Sequence, residues 1–149
     1  MSSKSTIIHN KKASFEYHLL QTYSAGIMLT GTEVKSIREG KASLSEAYCL
    51  LTDGELWVKN MHISEFKQGS YNNHEPKRLR KLLLNKSELR KLESKLKEKG
   101  TTLIPVKLYF NERGFAKLDI ALARGKKSFD KREDIKKKDQ EREISRHVR

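Results

Sequence analysis

The stretch Ala47–Ile63, AYCLLTDGELWVKNMHI, decides the fold class. Two apolar runs, Ala47 to Thr52 and Glu55 to Ile63, flank Asp53-Gly54, a dipeptide that accepts the positive φ angles of a tight hairpin turn. An antiparallel β pair is therefore expected here, and the rest of the chain repeats the theme. Leu103 to Phe110 and Phe115 to Ala123 read as two more strands joined by a turn containing Gly114. Upstream, Ala13 to Thr22 and Ala25 to Leu29 read as strands by their aromatic and aliphatic content.

Two helices interrupt the strands. Glu33 to Arg38 reads as a short one, capped by Thr32, with Glu33 on the favourable side of the helix dipole and Gly40 as its stop. Asn85 to Lys99 is the stronger signal: Asn85 and Glu88 form a capping-box-like pair, Leu89, Leu92 and Leu96 make one apolar stripe, and Gly100 ends it. Between them, Ser64 to Arg80 is long, polar and without period, the mark of a functional or unstructured loop. About six short strands and two helices predict a mainly β domain with flanking helices. That pattern over residues 13–123 suits a small, mostly antiparallel barrel or sandwich, with a Greek-key barrel of oligonucleotide-binding type as the first choice.

Charge bounds the function. The 149 residues carry a formal net charge of +13, which points to a polyanionic partner, nucleic acid before membrane surfaces or heparin-like polymers. Residues 124–149 hold eleven basic and six acidic residues, with only Phe129, Ile135, Ile144 and Val148 as sizeable apolar side chains. That is too little apolar surface to offset the entropy of ordering. This basic C-terminal tail is expected to be disordered when free and to fold on a polyanion. Residues 1–12 read as a flexible basic N-terminus. A single cysteine excludes an internal disulfide framework and suits a reducing cytosol. No apolar run approaches the roughly 20 residues of a membrane span, and no leader pattern opens the chain. A soluble, cytoplasmic protein is expected.

Catalysis finds no support. Cys49 lies mid-strand, where a buried inert thiol is the plainer reading, and His18 and His62 also fall within strands. Gly125-Lys126-Lys127 lacks the upstream glycine and the hydroxyl of a phosphate loop. No metal-ligand spacing is visible, so no enzyme activity, metal or cofactor is expected. The basic segments carry more. Lys77, Arg78, Arg80 and Lys81 follow Asn72-Asn73-His74-Glu75-Pro76, where Asn73 and His74 can hydrogen-bond to or stack on exposed bases. A solvated basic loop is the competing reading. Glu33 either caps its helix or orients a basic side chain for a phosphate. Tyr71, Tyr109 and Phe110 can serve as stacking platforms, although one of the last two must face the core.

Taken in order, these segments resemble one family, the tmRNA-binding small protein B family, or SsrA-binding proteins of bacteria. The likeness runs through Asn10-Lys11-Lys12-Ala13, Phe15-Glu16-Tyr17, Gly26-Ile27, Leu29 and Gly31-Thr32-Glu33-Val34-Lys35-Ser36-Ile37-Arg38. It continues through Asp53-Gly54-Glu55, His62-Ile63, Asn73-His74-Glu75-Pro76, Arg78 to Leu84 and Pro105 to Phe110. It closes on Ala121 to Lys127 and Asp130-Lys131-Arg132.

The resemblance implies a closed antiparallel β-barrel of oligonucleotide-binding type flanked by helices, in a protein of trans-translation that delivers transfer-messenger RNA (tmRNA) to stalled ribosomes as a monomer. Its partners would be the tRNA-like domain of tmRNA, the small-subunit decoding centre and mRNA channel, and elongation factor Tu through the aminoacylated RNA. The alternative is a generic RNA chaperone or ribosome-associated RNA-binding protein. Carried over by position, the tmRNA-gripping residues are Asn10, Lys11, Glu33, Lys35, Arg38, Asn73, His74, Arg78, Arg80 and Lys81. The ribosome-contacting tail residues are Gly125, Lys126, Lys127, Phe129, Asp130, Lys131 and Arg132. Phe129 stands where the family often has His or Tyr. Stacking survives that change, whereas a hydrogen bond or proton from the side chain does not.

Overall fold

In the computed structural model, residues 6–67 and 73–126 are described. Tyr71 and the tail positions Lys127, Phe129, Asp130, Lys131 and Arg132 lie outside them. The described strands are β1 (Ile8–His9), β2 (Tyr17–Ile27), β3 (Ala42–Ser43), β4 (Tyr48–Thr52), β5 (Glu55–Lys59), β6 (His62–Ile63), β7 (Arg80–Leu83), β8 (Thr101–Phe110) and β9 (Ala116–Gly125). The helices are α1 (Ala13–Glu16), α2 (Gly31–Arg38) and α3 (Lys86–Leu96). The architecture is mainly β and antiparallel, as expected.

The predicted hairpin forms over Tyr48–Thr52 and Glu55–Lys59, but the run read as one strand to Ile63 breaks at Asn60, whose φ is 62°, and His62–Ile63 pairs with β3 instead. Tyr48 pairs Lys59 and Thr52 pairs Glu55, with Asp53 at φ 53° and Gly54 at φ 76° in the turn. From β5 the pairing passes to β7, then β2, then β9, and β9 pairs with β8. Strand β8 also meets β4 through Leu103 and Cys49, so the sequence of pairings returns to the first hairpin. β1 joins β8 further along, at Leu108 and Lys107, inside the stretch read as flexible. β3 and β6 form a separate two-stranded pair.

Period-2 alternation fills the interior. Leu56 and Val58 face inward from β5, and Tyr23, Ala25 and Ile27 from β2. Leu118, Ile120 and Leu122 meet them from β9. A smaller apolar cluster of Ala13, Ile104 and Ala123 lies beneath α1, with Tyr17 packed against it.

Several boundaries differ from the sequence reading, each for a local reason. The two upstream strands are one, β2, with a register shift between Leu19 and Gln21 that leaves Leu20 outside the ladder and 51% exposed. Ala13–Glu16 is a helical turn because Ala13 is buried against Ile104 and Ala123. β7 escaped notice as the end of a polar segment. Its alternation is carried by an inward-facing arginine, Arg80, beside Leu82. Pro105 sits in β8 where the register shifts before Lys107, the place in a sheet where a residue without an N–H is tolerated.

Helix α3 is held by two devices. Asn85 accepts the Glu88 N–H at 2.9 Å, and the Glu88 carboxylate returns the contact to Asn85 N–H at 3.4 Å. An eleven-residue helix is marginal alone, so its single fully buried residue, Leu92, fixes it to the core. We expect Leu92→Ala to destabilise the fold by about 2–5 kcal/mol and Asn85→Ala by about 1 kcal/mol, read from urea midpoints. Equal losses would contradict this division.

Candidate nucleic-acid interface

Helix α2 starts where β2 ends. Thr30, rather than Thr32, is its cap: Thr30 Oγ1 accepts the Glu33 N–H at 3.4 Å, and Glu33 Oε1 accepts the Thr30 N–H at 2.8 Å. This capping box turns the Glu33 side chain inward, where it has no exposed surface. Two arginines meet it there. Arg78 makes a two-pronged contact, Nη2 to Oε1 at 2.8 Å and Nε to Oε2 at 3.2 Å. Arg80 donates Nε to Oε2 at 2.6 Å. Glu33 thus does both things that the sequence left open, capping its helix and orienting basic side chains.

Arg80 is as buried as Glu33 and uses its whole guanidinium internally. Nη1 donates to the Met61 carbonyl at 2.6 Å and Nη2 to the Pro76 carbonyl at 3.1 Å. Arg78 keeps 37% of its side chain exposed and also reaches the Met28 carbonyl at 3.3 Å. One carboxylate holding two guanidinium groups leaves a surplus positive charge, and Arg78 carries it to the surface.

The other predicted positions among the described residues fall into four settings. Around α2, His74 is buried, with Nδ1 2.9 Å from Thr32 Oγ1 and Nε2 2.9 Å from the Ile63 carbonyl. Because a carbonyl only accepts, Nε2 is the donor in that bond. Asn73 is half-buried and bonds both backbone groups of Phe66. Lys35 and Arg38 are exposed on α2, their cations over the rings of Phe66 and Phe110 at 5.5 and 4.5 Å. On the outward face of β7, Lys81 lies 3.5 Å from Glu55. At the end of β1, Asn10 donates Nδ2 to the Pro105 carbonyl at 2.8 Å, beside exposed Lys11. Gly125 ends β9, and the Lys126 N–H bonds the Glu16 carbonyl at 2.8 Å.

Of the two neighbouring aromatics, Phe110 is the buried one. Tyr109 lies on the other face, its hydroxyl 3.0 Å from both Ser24 Oγ and Asp119 Oδ1. Burial pushes the Cys49 thiol up, away from the thiolate a nucleophile needs. Among the described residues no group of His, Cys, Asp and Glu is arranged to hold a metal, and no helix is long and apolar enough to cross a membrane. Sequence reasoning missed Thr30 and Phe66. The first was legible as Thr30-x-x-Glu33, while nothing local marks the second.

A basic, antiparallel β domain that mounts cations along an exposed helix and strand has the electrostatic footprint of a nucleic-acid-binding protein. Comparison with known proteins narrows this class. The family model described as "SmpB protein" matches residues 7–149. An SsrA-binding protein of Phocaeicola vulgatus is 63% identical over 139 residues, covering 93% of each chain. One from Bacteroides thetaiotaomicron is 58% identical over 146 residues, covering 98% of this chain and 97% of its own. A chain from the solved structure "tmRNA-SmpB: a journey to the center of the bacterial ribosome" superposes with a TM-score of 0.71 at 50% identity. That match covers 83% of this chain and 86% of the other. The chain belongs to the SmpB family.

Burial alone would raise the Glu33 pKa, but hydrogen bonds from Arg78 and the Thr30 N–H, with the charge of Arg80, hold it below the ordinary carboxylate value. The folded value is depressed, so the stability it supplies is fully present above the unfolded value of about 4.3 and is lost as pH falls through the folded one. Glu33→Gln leaves the buried Arg80 without its counter-ion and should cost about 3–5 kcal/mol at pH 7. In urea titrations from pH 7 downward, the wild type should lose that advantage below about pH 4.3, so the two proteins converge. A gap that stays constant with pH would contradict the ionised pair.

Proposed function

We propose that this chain binds tmRNA and delivers it to stalled ribosomes in trans-translation. The observation that carries this reading is membership of the SmpB family along nearly the whole length. The SsrA-binding relatives and the tmRNA–SmpB neighbour name the RNA and the ribosome as partners. Elongation factor Tu would join through the aminoacylated RNA. The protein acts by binding, as a cytoplasmic monomer without catalysis or cofactor.

The returning order of strand pairings supports a closed barrel of oligonucleotide-binding type as the RNA-gripping body. Exposed Lys35, Arg38 and Lys11, and the half-exposed Arg78 and Lys81, are the side chains free to meet phosphates and bases of a structured RNA. Glu33, Arg80 and His74 act from within, as supports. The tail beyond Lys126 supplies the second contact. Its positive charge suits a polyanion such as the decoding centre and empty mRNA channel. A tail that shares a path with mRNA reports its absence, because both cannot occupy it.

Counterion release makes the first part measurable. Lys35→Ala and Arg38→Ala should each lower the slope of log K against log salt by about one for the tRNA-like domain, if each neutralises one phosphate. Unchanged slopes would remove those contacts. Truncation before Lys127 leaves every described element intact, and should spare tmRNA binding while abolishing peptide tagging on stalled ribosomes. Loss of binding on truncation would contradict the division into two contacts.

A further inference from the structure

One side chain grips both backbone groups of Phe66. The Asn73 amide donates Nδ2 to the Phe66 carbonyl at 2.7 Å, and its Oδ1 accepts the Phe66 N–H at 3.1 Å. The same oxygen accepts the His74 N–H at 3.2 Å. An amide used this way replaces a neighbouring strand for a single residue, satisfying a donor and an acceptor at once. His74 then fastens the junction to the fold through Thr32 of α2 and the Ile63 carbonyl of β6.

Thr32 and Lys35 stand three residues apart on α2 and share one face of it. The segment anchored at Thr32 therefore brings Phe66 to Lys35, whose Nζ lies 5.5 Å from the ring centroid. A lysine on a helix surface ordinarily samples many rotamers, and ordering it is a cost met at binding. Here an aromatic face attracts the ammonium before any ligand arrives.

We propose that Asn73 and Phe66 are positioning residues for Lys35: the Asn73 amide fixes Phe66, and the Phe66 ring holds the Lys35 ammonium where it meets a phosphate of the RNA backbone. This rests on the reading of Lys35 as a phosphate contact. It assigns Asn73 a role inside the protein rather than on the bases.

Two readouts on the full-length chain test it. In the protein alone, ring currents should shift the Lys35 ε-methylene NMR signal upfield, and Asn73→Ala and Phe66→Leu should each abolish that shift. An unshifted wild-type signal, or a shift that survives Asn73→Ala, would overturn the clasp with no RNA present. With the tRNA-like domain of tmRNA, Phe66→Leu should weaken binding about two- to fivefold, and should change nothing when Lys35 is already alanine. Phe66→Leu keeps an apolar side chain, so it reports on the ring should Asn73→Ala prove poorly folded. A loss that persists in the Lys35→Ala background would mean that Phe66 touches RNA itself, overturning the positioning role. No binding by the wild type would overturn the RNA reading instead, and the methylene shift would still decide the clasp.

Discussion

The Glu33 carboxylate is the point at which the start of helix α2 is tied to the segment that enters β7. Its oxygens take the Thr30 N–H that starts α2, the fork of Arg78, and the Arg80 side chain of β7. Arg80 then extends the tie to the Met61 and Pro76 carbonyls. Such a cluster is expensive to desolvate, and an apolar replacement of equal volume often matches it in stability. What it supplies is geometry. Three guanidinium nitrogens reach three acceptors in fixed directions, which the single ammonium of a lysine cannot do. Helix, strand and the chain between them are thereby locked in one arrangement.

That arrangement determines where the cations point. Burying a carboxylate with two guanidinium groups leaves one positive charge uncompensated, and the half-exposed Arg78 brings it out. Lys35 and Arg38 are turned outward by the helix that Glu33 caps, each over an aromatic ring. Lys81 follows Arg80 on the opposite face of β7, because neighbours on a strand alternate. Inside, the same alternation packs Leu56, Val58, Ile120 and Leu122 into the core. The internal residues hold, and the external ones are left exposed at the surface.

Much of this was legible in the residues. The Asp53-Gly54 hairpin, the Asn85 capping box and the pair of long strands around Gly114 all follow from local chemistry, and all form. What escaped depends on contacts distant in sequence. The helical turn at Ala13 is fixed by Ile104 and Ala123, about ninety positions and more away, against the strand-like pattern of its own residues. β7 was hidden because a buried arginine reads as polar, and only Glu33, 47 residues earlier, explains why it is inside. The candidate site was read as a set of residue types, through the resemblance of ordered motifs. The separation into outward and inward roles was not, since burial is a property of the packed chain.

The most direct test of the account is a gel shift of the full chain with the tRNA-like domain of tmRNA, competed by excess ordinary tRNA at near-physiological salt. A basic surface acting only through charge would yield to any folded RNA, because phosphate contacts carry no sequence information. The account predicts a complex that survives the competitor. A complex that ordinary tRNA erases would contradict it, reducing the protein to a generic RNA-binding domain.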